Sequence, residues 1–262
     1  MNRRMRRVRT WMLLAVAVVC VGAGLALQAT DALRRFDLGT IDARFDLRGE
    51  RPTPDDVVIV GIDDKTLTAP DHIFPYSRRF HAQVIRNLAK ADAKVIAYDV
   101  QFTQESPNPN ADYALIMAVR RAAPRVVLAT SAVGAGGVTQ IFGGGRGLRF
   151  SRAHPAFSAF EKDPDGVQRR LLYSENDLKA FPIVAAEQFT GREIAAPPEG
   201  ADWIDFEGGP ETFRHLSFVD VEEGNFDPED VRGKIVVVGA TATVLQDIRE
   251  TSTTNQQSMA GP

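Results

Sequence analysis

Four aspartates that follow apolar runs are the residues of this chain whose type and spacing could do chemistry. The set consists of Asp63, Asp64, Asp99 and Asp247. Ligands of an open α/β sheet usually bind beyond the carboxyl ends of the strands, so neighbouring strands would gather these carboxylates at one edge. Arg78, in the loop after the first pair, would neutralise part of their charge. We interpret the five residues as a ligand-binding site for a cation or an amine-bearing molecule, or as a polar relay.

The aspartates also have a plainer interpretation, in which they cap helices and pair with arginines. Short acidic side chains favour the position before a helix because their oxygens accept the unpaired backbone N–H groups of the first turn. Both interpretations use the same spacing, so the sequence leaves them open. Replacing Asp63 and Asp99 with asparagine distinguishes them, because only a binding site would lose its function with little loss of stability.

Other motifs that carry chemistry do not occur in the chain. The glycine-rich run at residues 143–147 lacks the Gly-Lys-Ser/Thr ending of a phosphate-binding loop. No His-Glu-x-x-His zinc spacing relates the four histidines, which are His72, His81, His154 and His215. The Gly-x-Ser-x-Gly nucleophile elbow of hydrolases is missing too. We therefore predict a chain that is not an enzyme, with no catalytic residue, no cofactor and no metal.

Runs of β-branched residues alternate with helical periods along the body of the chain. The runs are typical of strands covered on both faces, and they span residues 57–62, 95–100, 125–130 and 234–240. Apolar positions at helical spacing predict helices at residues 79–91, 112–122 and 182–189. This order predicts an α/β fold, a three-layer α/β/α-like arrangement around a mostly parallel sheet with right-handed crossovers.

The middle of the chain is less regular. Residues 134–147 hold seven glycines, which predict a mobile loop. The Asp-Pro-Asp-Gly sequence at residues 163–166 predicts a turn. Short strands are predicted at residues 169–174, 203–207 and 215–221.

The N-terminal segment predicts a transmembrane helix. Residues 11–29 carry no charge, and as a helix they span roughly 28 Å, close to the hydrocarbon thickness of a bilayer. Because arginines precede this segment, the positive-inside bias puts residues 1–10 in the cytoplasm and residues 30–262 outside the inner membrane. A cleaved signal peptide, with a small-x-small site at residues 24–26, is the alternative, and it also exports the body. Residues 31–51, dense in arginine and aspartate, predict a juxtamembrane helix.

The charge distribution excludes nucleic acid as a partner. The formal net charge is −3, and it becomes −8 once the five arginines of the N-terminal tip are set aside. An acidic body does not suit a phosphate backbone, whereas the basic tip favours anionic lipid headgroups. Cys20, the only cysteine, lies inside the apolar segment, so no intrachain disulfide forms.

Six motifs occur in a fixed order along the chain. They are DARFDLRG at residues 42–49, VVIVGIDDK at 57–65, SRRFHA at 77–82, AKVIAYDV at 93–100, DPDGVQRR at 163–170 and VRGKIVVVGATA at 231–242. This series resembles the type 2 CHASE domain, a sensory extracellular domain associated with cyclases and histidine kinases, over residues 33–247. The resemblance implies a periplasmic or extracellular sensor whose later membrane spans lead to a cytoplasmic cyclase, serine/threonine kinase or histidine kinase.

The chain departs from that family pattern in three places. Phe74-Pro75-Tyr76 stands where a tryptophan-proline-tryptophan stretch is common, and Asp92 replaces a usual glycine. The sequence also stops at Pro262, before the expected remainder of the domain. We therefore expect a sensory domain that is truncated at its C-terminus.

These observations lead to one hypothesis and two alternatives. The hypothesis is an extracytoplasmic sensory domain that signals to a cytoplasmic effector, most simply a nucleotide cyclase, and that binds an unknown small ligand or an envelope protein. We expect the membrane as a partner, and a homodimer formed through the membrane-proximal helix. The alternatives are a membrane-anchored envelope module that binds a protein partner without small-molecule input, and an exported α/β enzyme.

Overall fold

The computed structural model of the protein opens with two consecutive helices. It describes residues 3–29, 32–52, 54–70, 75–160, 162–209, 212–245 and 251–253. Helix α1, Arg3–Ala29, contains a stretch, Arg7–Leu25, that is long and apolar enough to cross a membrane and is not buried in the protein. Helix α2, Ala32–Arg48, follows it, and Leu38 of α2 is buried. A helix is therefore present where one was predicted over residues 31–51.

A parallel sheet forms the centre of the body. The described strands are β1 Val57–Ile62, β2 Val95–Tyr98, β3 Val126–Thr130, β4 His154–Phe157, β5 Arg170–Leu172, β6 Ser174–Glu175, β7 Leu178–Lys179, β8 Ala201–Trp203, β9 Arg214–Ser217 and β10 Ile235–Ala240. Six of them lie in the order β4-β3-β2-β10-β1-β9, and every neighbouring pair is parallel. This sheet confirms the predicted α/β class.

Helices lie on both faces of the sheet. The remaining described α-helices are α3 Asp64–Thr68, α4 Arg78–Lys90, α5 Pro109–Ala122, α6 Gly145–Ser151, α7 Phe181–Thr190 and α8 Phe218–Glu223. On the first face, the larger core joins Val84 and Leu88 of α4 and Leu115 of α5 to Val58 and Val60 of β1. These helices form because their apolar residues recur at helical spacing while Arg86 and Lys90 stay exposed.

The second face carries α7, which begins with a proline in its first turn and ends at a left-handed Gly191. Val184 and Ala185 of α7 pack against Val95 of β2 and Val127 of β3. Strand β2 is buried along its whole length because it lies between the two helical layers. The predicted three-layer arrangement is thus present over the centre of the sheet.

Strands outside the sheet form two short antiparallel pairs. One is the β5–β8 ribbon, in which Arg170 faces Trp203 and Leu172 faces Ala201. The other joins β6 and β7. The ribbon lies beside α2, because Trp203 of β8 lines a cavity together with residues of α2.

Three local predictions were wrong. Residues 134–147 contain two 3₁₀ turns and the start of α6 rather than a mobile loop, because Ile141 is fully buried in the core. The strand predicted at residues 203–207 ends at Trp203, since β8 pairs earlier in the chain. The strand predicted at residues 215–221 stops at Ser217, because Phe218, Val219 and Val221 are buried at helical spacing in α8.

Candidate functional site

The carboxyl edge of the sheet holds most of the predicted site residues but separates them. Strands β1 and β2 are not neighbours, because β10 pairs with both of them. Asp63 after β1 and Asp99 after β2 therefore lie two strand spacings apart, roughly 10 Å along the sheet. Gly239 of β10 lies between them, and a Cβ added there would stand 3.7 Å from the Cβ of Asp99.

Asp63 acts as a helix cap in the structure. It is the N-cap of α3, and its Oδ1 accepts hydrogen bonds from the Thr66 backbone N–H at 2.9 Å and the Thr66 hydroxyl at 2.7 Å. The Ser217 hydroxyl of β9 donates a third bond at 2.8 Å. The carboxylate thus ties the end of β1 to the end of β9.

Arg78 turns toward a different carboxylate from those we predicted. Its guanidinium lies 3.0 Å from Asp112 in the first turn of α5, and both side chains are 14% exposed. A second nitrogen donates to the backbone carbonyl of Gln104, and the guanidinium lies 5.7 Å from the centre of the Phe102 ring. Arg78 therefore fastens the start of α4 to the loop that precedes α5.

The other predicted site residues have separate environments. Asp64 is exposed in the first turn of α3, and Asp99 is half-buried at the end of β2. Asp247 lies outside the described residues. No cluster of metal-ligating side chains occurs in the described part of the chain. The ligand-binding role of these residues stays a prediction.

A large cleft opens at this same edge, between the ends of β1 and β2. It measures about 860 Å³ and is lined by Ile62, residues 75–78, Phe80, His81 and residues 100–108. We call it the carboxyl-edge cleft. Its position fits the general rule for open α/β sheets, in which the crevice lies where the strand connections diverge. Arg78 is the one predicted site residue among the described residues that line it.

Aromatic rings form the floor of the carboxyl-edge cleft. His81 lies 5.3 Å from Phe102, 5.7 Å from Tyr98 and 5.3 Å from Phe218, in edge-to-face geometry each time. Its Nδ1 lies 2.7 Å from the buried Tyr98 hydroxyl. Burial, with a smaller contribution from the positive charge of Arg78, lowers the pKa of His81 to about 4. The imidazole is therefore uncharged at neutral pH.

A second group of charges lies far from the cleft, where α2 meets the turn before the β5–β8 ribbon. The Arg169 side chain is 1% exposed, and three carboxylates surround its guanidinium. The distances are 2.6 Å to Asp42 of α2, 3.2 Å to Asp163 and 2.8 Å to Asp165. We call these four residues the Arg169 cluster. The hydrogen bonds, that of Asp42 first, raise the pKa of Arg169 well above its ordinary value.

Further contacts hold α2 against the same segment. Arg48 and Arg51 both pair with Asp205, and Phe45 packs edge-to-face on Phe206 with ring centres 5.7 Å apart. A cavity of about 330 Å³ remains between α2 and Trp203. Near this contact, Gln168 forms a parallel bridge with Thr251. One small region therefore touches both the helix that enters the body and the last described residues of the chain.

The sequence motif at residues 163–170 contains three of the four residues of the Arg169 cluster, but the sequence predicts only a turn and the start of a strand there. The signal that could have found the cluster is two aspartates shortly before an arginine pair. Asp42 could not be found in this way, because it lies 127 positions from Arg169.

The structure defines the chain as an α/β domain behind a helix that is apolar enough to anchor it in a membrane, with a cleft at the carboxyl edge of its sheet. The family model of the CHASE2 domain matches residues 13–262, and the chain belongs to this family. CHASE2 domains are extracellular, sensory and not catalytic, so the chain has the character of a membrane-anchored protein with an extracellular body. Comparisons with curated proteins and with solved structures found no match.

Proposed function

We propose that this chain is the sensory part of an inner-membrane signalling protein and acts on a cytoplasmic effector beyond the chain, a nucleotide cyclase or a protein kinase. The observation that carries this proposal is the Arg169 cluster. It joins α2, which directly follows the apolar helix α1, to the turn before the β5–β8 ribbon. A rearrangement of the body therefore has a direct mechanical route to the membrane.

The energetics of the Arg169 cluster favour two discrete states over gradual change. A buried guanidinium is stable only while its carboxylates stay in place, because an unpaired buried charge costs several kcal/mol. Asp42 is the only member of the cluster on α2, and its side chain is 31% exposed. A signal that moves Asp42 away from Arg169 would loosen α2, which Arg48 and Phe45 also hold, while Asp163 and Asp165 keep the guanidinium paired. The mechanism is a shift in population between clamped and released α2.

The first test is the reading frame beyond residue 262. We expect further membrane spans and then a cyclase or kinase domain. A stop codon at that point, with no signalling gene beside it, would contradict the proposal and favour the envelope partner-binding module.

A second test uses the longer protein, reconstituted in lipid nanodiscs, with cyclic nucleotide formation or autophosphorylation as the readout. Asp42→Asn removes the α2 charge from the cluster and should change the basal output severalfold. Asp46→Asn is the matched control, because Asp46 is exposed on the same helix. Equal output from the wild type and both variants would show that the cluster has no part in transmission.

We also propose that the protein signals as a homodimer through α2. Leu47 of α2 is 88% exposed, while Phe45 and Arg48 of the same helix contact the body. Leu47→Cys, placed in a Cys20→Ala background, should form a disulfide-linked dimer in membranes under mild oxidation. Tyr113→Cys is the control, since Tyr113 is exposed on α5, away from α2. Equal cross-linking at both positions would indicate random collision.

A further inference from the structure

The carboxyl-edge cleft has the size and the wall chemistry of a small-molecule site. Its volume of about 860 Å³ lies within the range of pockets that enclose drug-sized ligands. The end of β1, the start of α4 and the loop between β2 and α5 contribute its walls. The helices and strands around it are fixed by the larger core, so the floor of the cleft is preformed.

The floor of the cleft favours a flat apolar body. Three rings that line it, those of Tyr76, His81 and Phe102, are each no more than 6% exposed. Phe218 backs Tyr76 with a ring-centre distance of 6.1 Å, and Phe142 backs Phe102 at 6.0 Å. Rings held from behind in this way keep a fixed orientation, and aromatic pairs prefer offset-stacked or edge-to-face contacts. A planar ring system fits such a surface.

The charges around the cleft disfavour an ionic ligand. Arg78 is the one cation among the described lining residues, and Asp112 already holds its guanidinium at 3.0 Å. Glu105, the one anion among them, is exposed, so solvent screens it. His81 is uncharged above about pH 4. An anion would have to displace Asp112, and a cation would find no buried carboxylate among these lining residues.

We propose that the carboxyl-edge cleft binds an uncharged, planar aromatic or heteroaromatic molecule as the sensory ligand. The ring body would pack against the half-buried Phe80 and the small accessible parts of Tyr76, His81 and Phe102, and its polar substituent would point to the rim at residues 103–108. The sensory meaning of this site rests on the proposed function, whereas binding itself does not depend on any effector. This ligand class differs from the cation or amine expected from the aspartates, which stays a separate prediction.

The test measures binding to the full chain in nanodiscs by isothermal titration calorimetry, with empty nanodiscs subtracted. The probes share one ring: indole is uncharged, indole-3-acetate is an anion and tryptamine is a cation. We expect saturable binding of indole, with at least tenfold weaker binding of both charged probes. No indole heat above that of empty nanodiscs would overturn the proposal, and so would tighter binding of either charged probe.

Two variants locate the site. Gln104→Trp fills the cleft from its exposed rim and should abolish indole binding, whereas Gln140→Trp, at an exposed position outside the lining, should leave it unchanged. Phe102→Leu removes a floor ring and should weaken binding at least fivefold, whereas Phe142→Leu behind it should have less effect. If Gln104→Trp and the wild type bound indole with equal affinity, the assignment of the binding site to the carboxyl-edge cleft would be overturned. Binding without any change in effector output would instead contradict the transmission proposal alone.

Discussion

At the residue scale, two charged side chains show how burial separates a structural role from a coupling role. Asp63 is half-buried and accepts three hydrogen bonds, two from Thr66 of α3 and one from Ser217 of β9. Arg169 is nearly fully buried, and its partners come from two distant segments of the chain. Capping explains the position of Asp63, while the Arg169 cluster connects parts of the molecule that would otherwise move separately.

Arg169→Met should lower the free energy of unfolding by about 3 kcal/mol, because it leaves three carboxylates, the buried one of Asp163 among them, without their cation. Arg170→Met is the matched control, since Arg170 is 36% exposed and lies 3.3 Å from Asp163. Its effect should stay below about 1 kcal/mol. Urea unfolding followed by circular dichroism measures the free energy of unfolding of both variants. Equal losses of stability would show that the Arg169 cluster stabilises the fold no more than an exposed ion pair does.

His81 should make the protein sensitive to mild acid. Its pKa is about 4 in the folded protein against 6.5 when unperturbed, so the unfolded chain takes up a proton first as the pH falls. The free energy of unfolding should therefore drop by up to about 3 kcal/mol between pH 6.5 and pH 4, and stay constant above that window as far as His81 contributes. His81→Gln, which does not titrate, should remove this part of the slope. If the free energy of unfolding fell with the same slope in the wild type and in His81→Gln, His81 would not be the source of the acid sensitivity.

At the element scale, the strands converge so closely that one glycine is required. Gly61 of β1 is buried, and an added Cβ would lie 3.0 Å from Thr241 Cγ2 and overlap the Thr241 hydroxyl. Thr241 follows β10, the strand inserted between β1 and β2. The close approach is therefore a consequence of the insertion that also separates Asp63 from Asp99.

Gly61→Ala should destabilise the protein by about 1 to 3 kcal/mol, because β10 or Thr241 must shift to admit the methyl group. Gly39→Ala in α2 should have the opposite sign and stabilise by up to about 1 kcal/mol, since Gly39 has open space and helices favour alanine. Thermal unfolding of both variants measures these two opposite changes in stability. A neutral Gly61→Ala would mean that the two strand ends are less tightly packed than described.

At the scale of the whole molecule, the proposed function requires the N-terminal tip and the body to lie on opposite sides of the membrane. The proposed orientation puts residues 1–10 in the cytoplasm and α2 outside. In a Cys20→Ala background, Leu47→Cys should react with a membrane-impermeant maleimide in intact cells, and Asn2→Cys only after the membrane is opened. Labelling of Asn2→Cys in intact cells would reverse the orientation.

The sequence by itself determined the class of the fold, the apolar helix and the family. Strands and helices follow from local periodicity, and an uncharged run behind arginines needs no tertiary context to be interpreted. The tertiary structure decided which residues meet. It inserted β10 between β1 and β2, paired Arg78 with Asp112, and brought Asp42 to Arg169 across 127 positions. Such contacts depend on the order of strands and on which side chains are buried together, and a local sequence pattern carries neither.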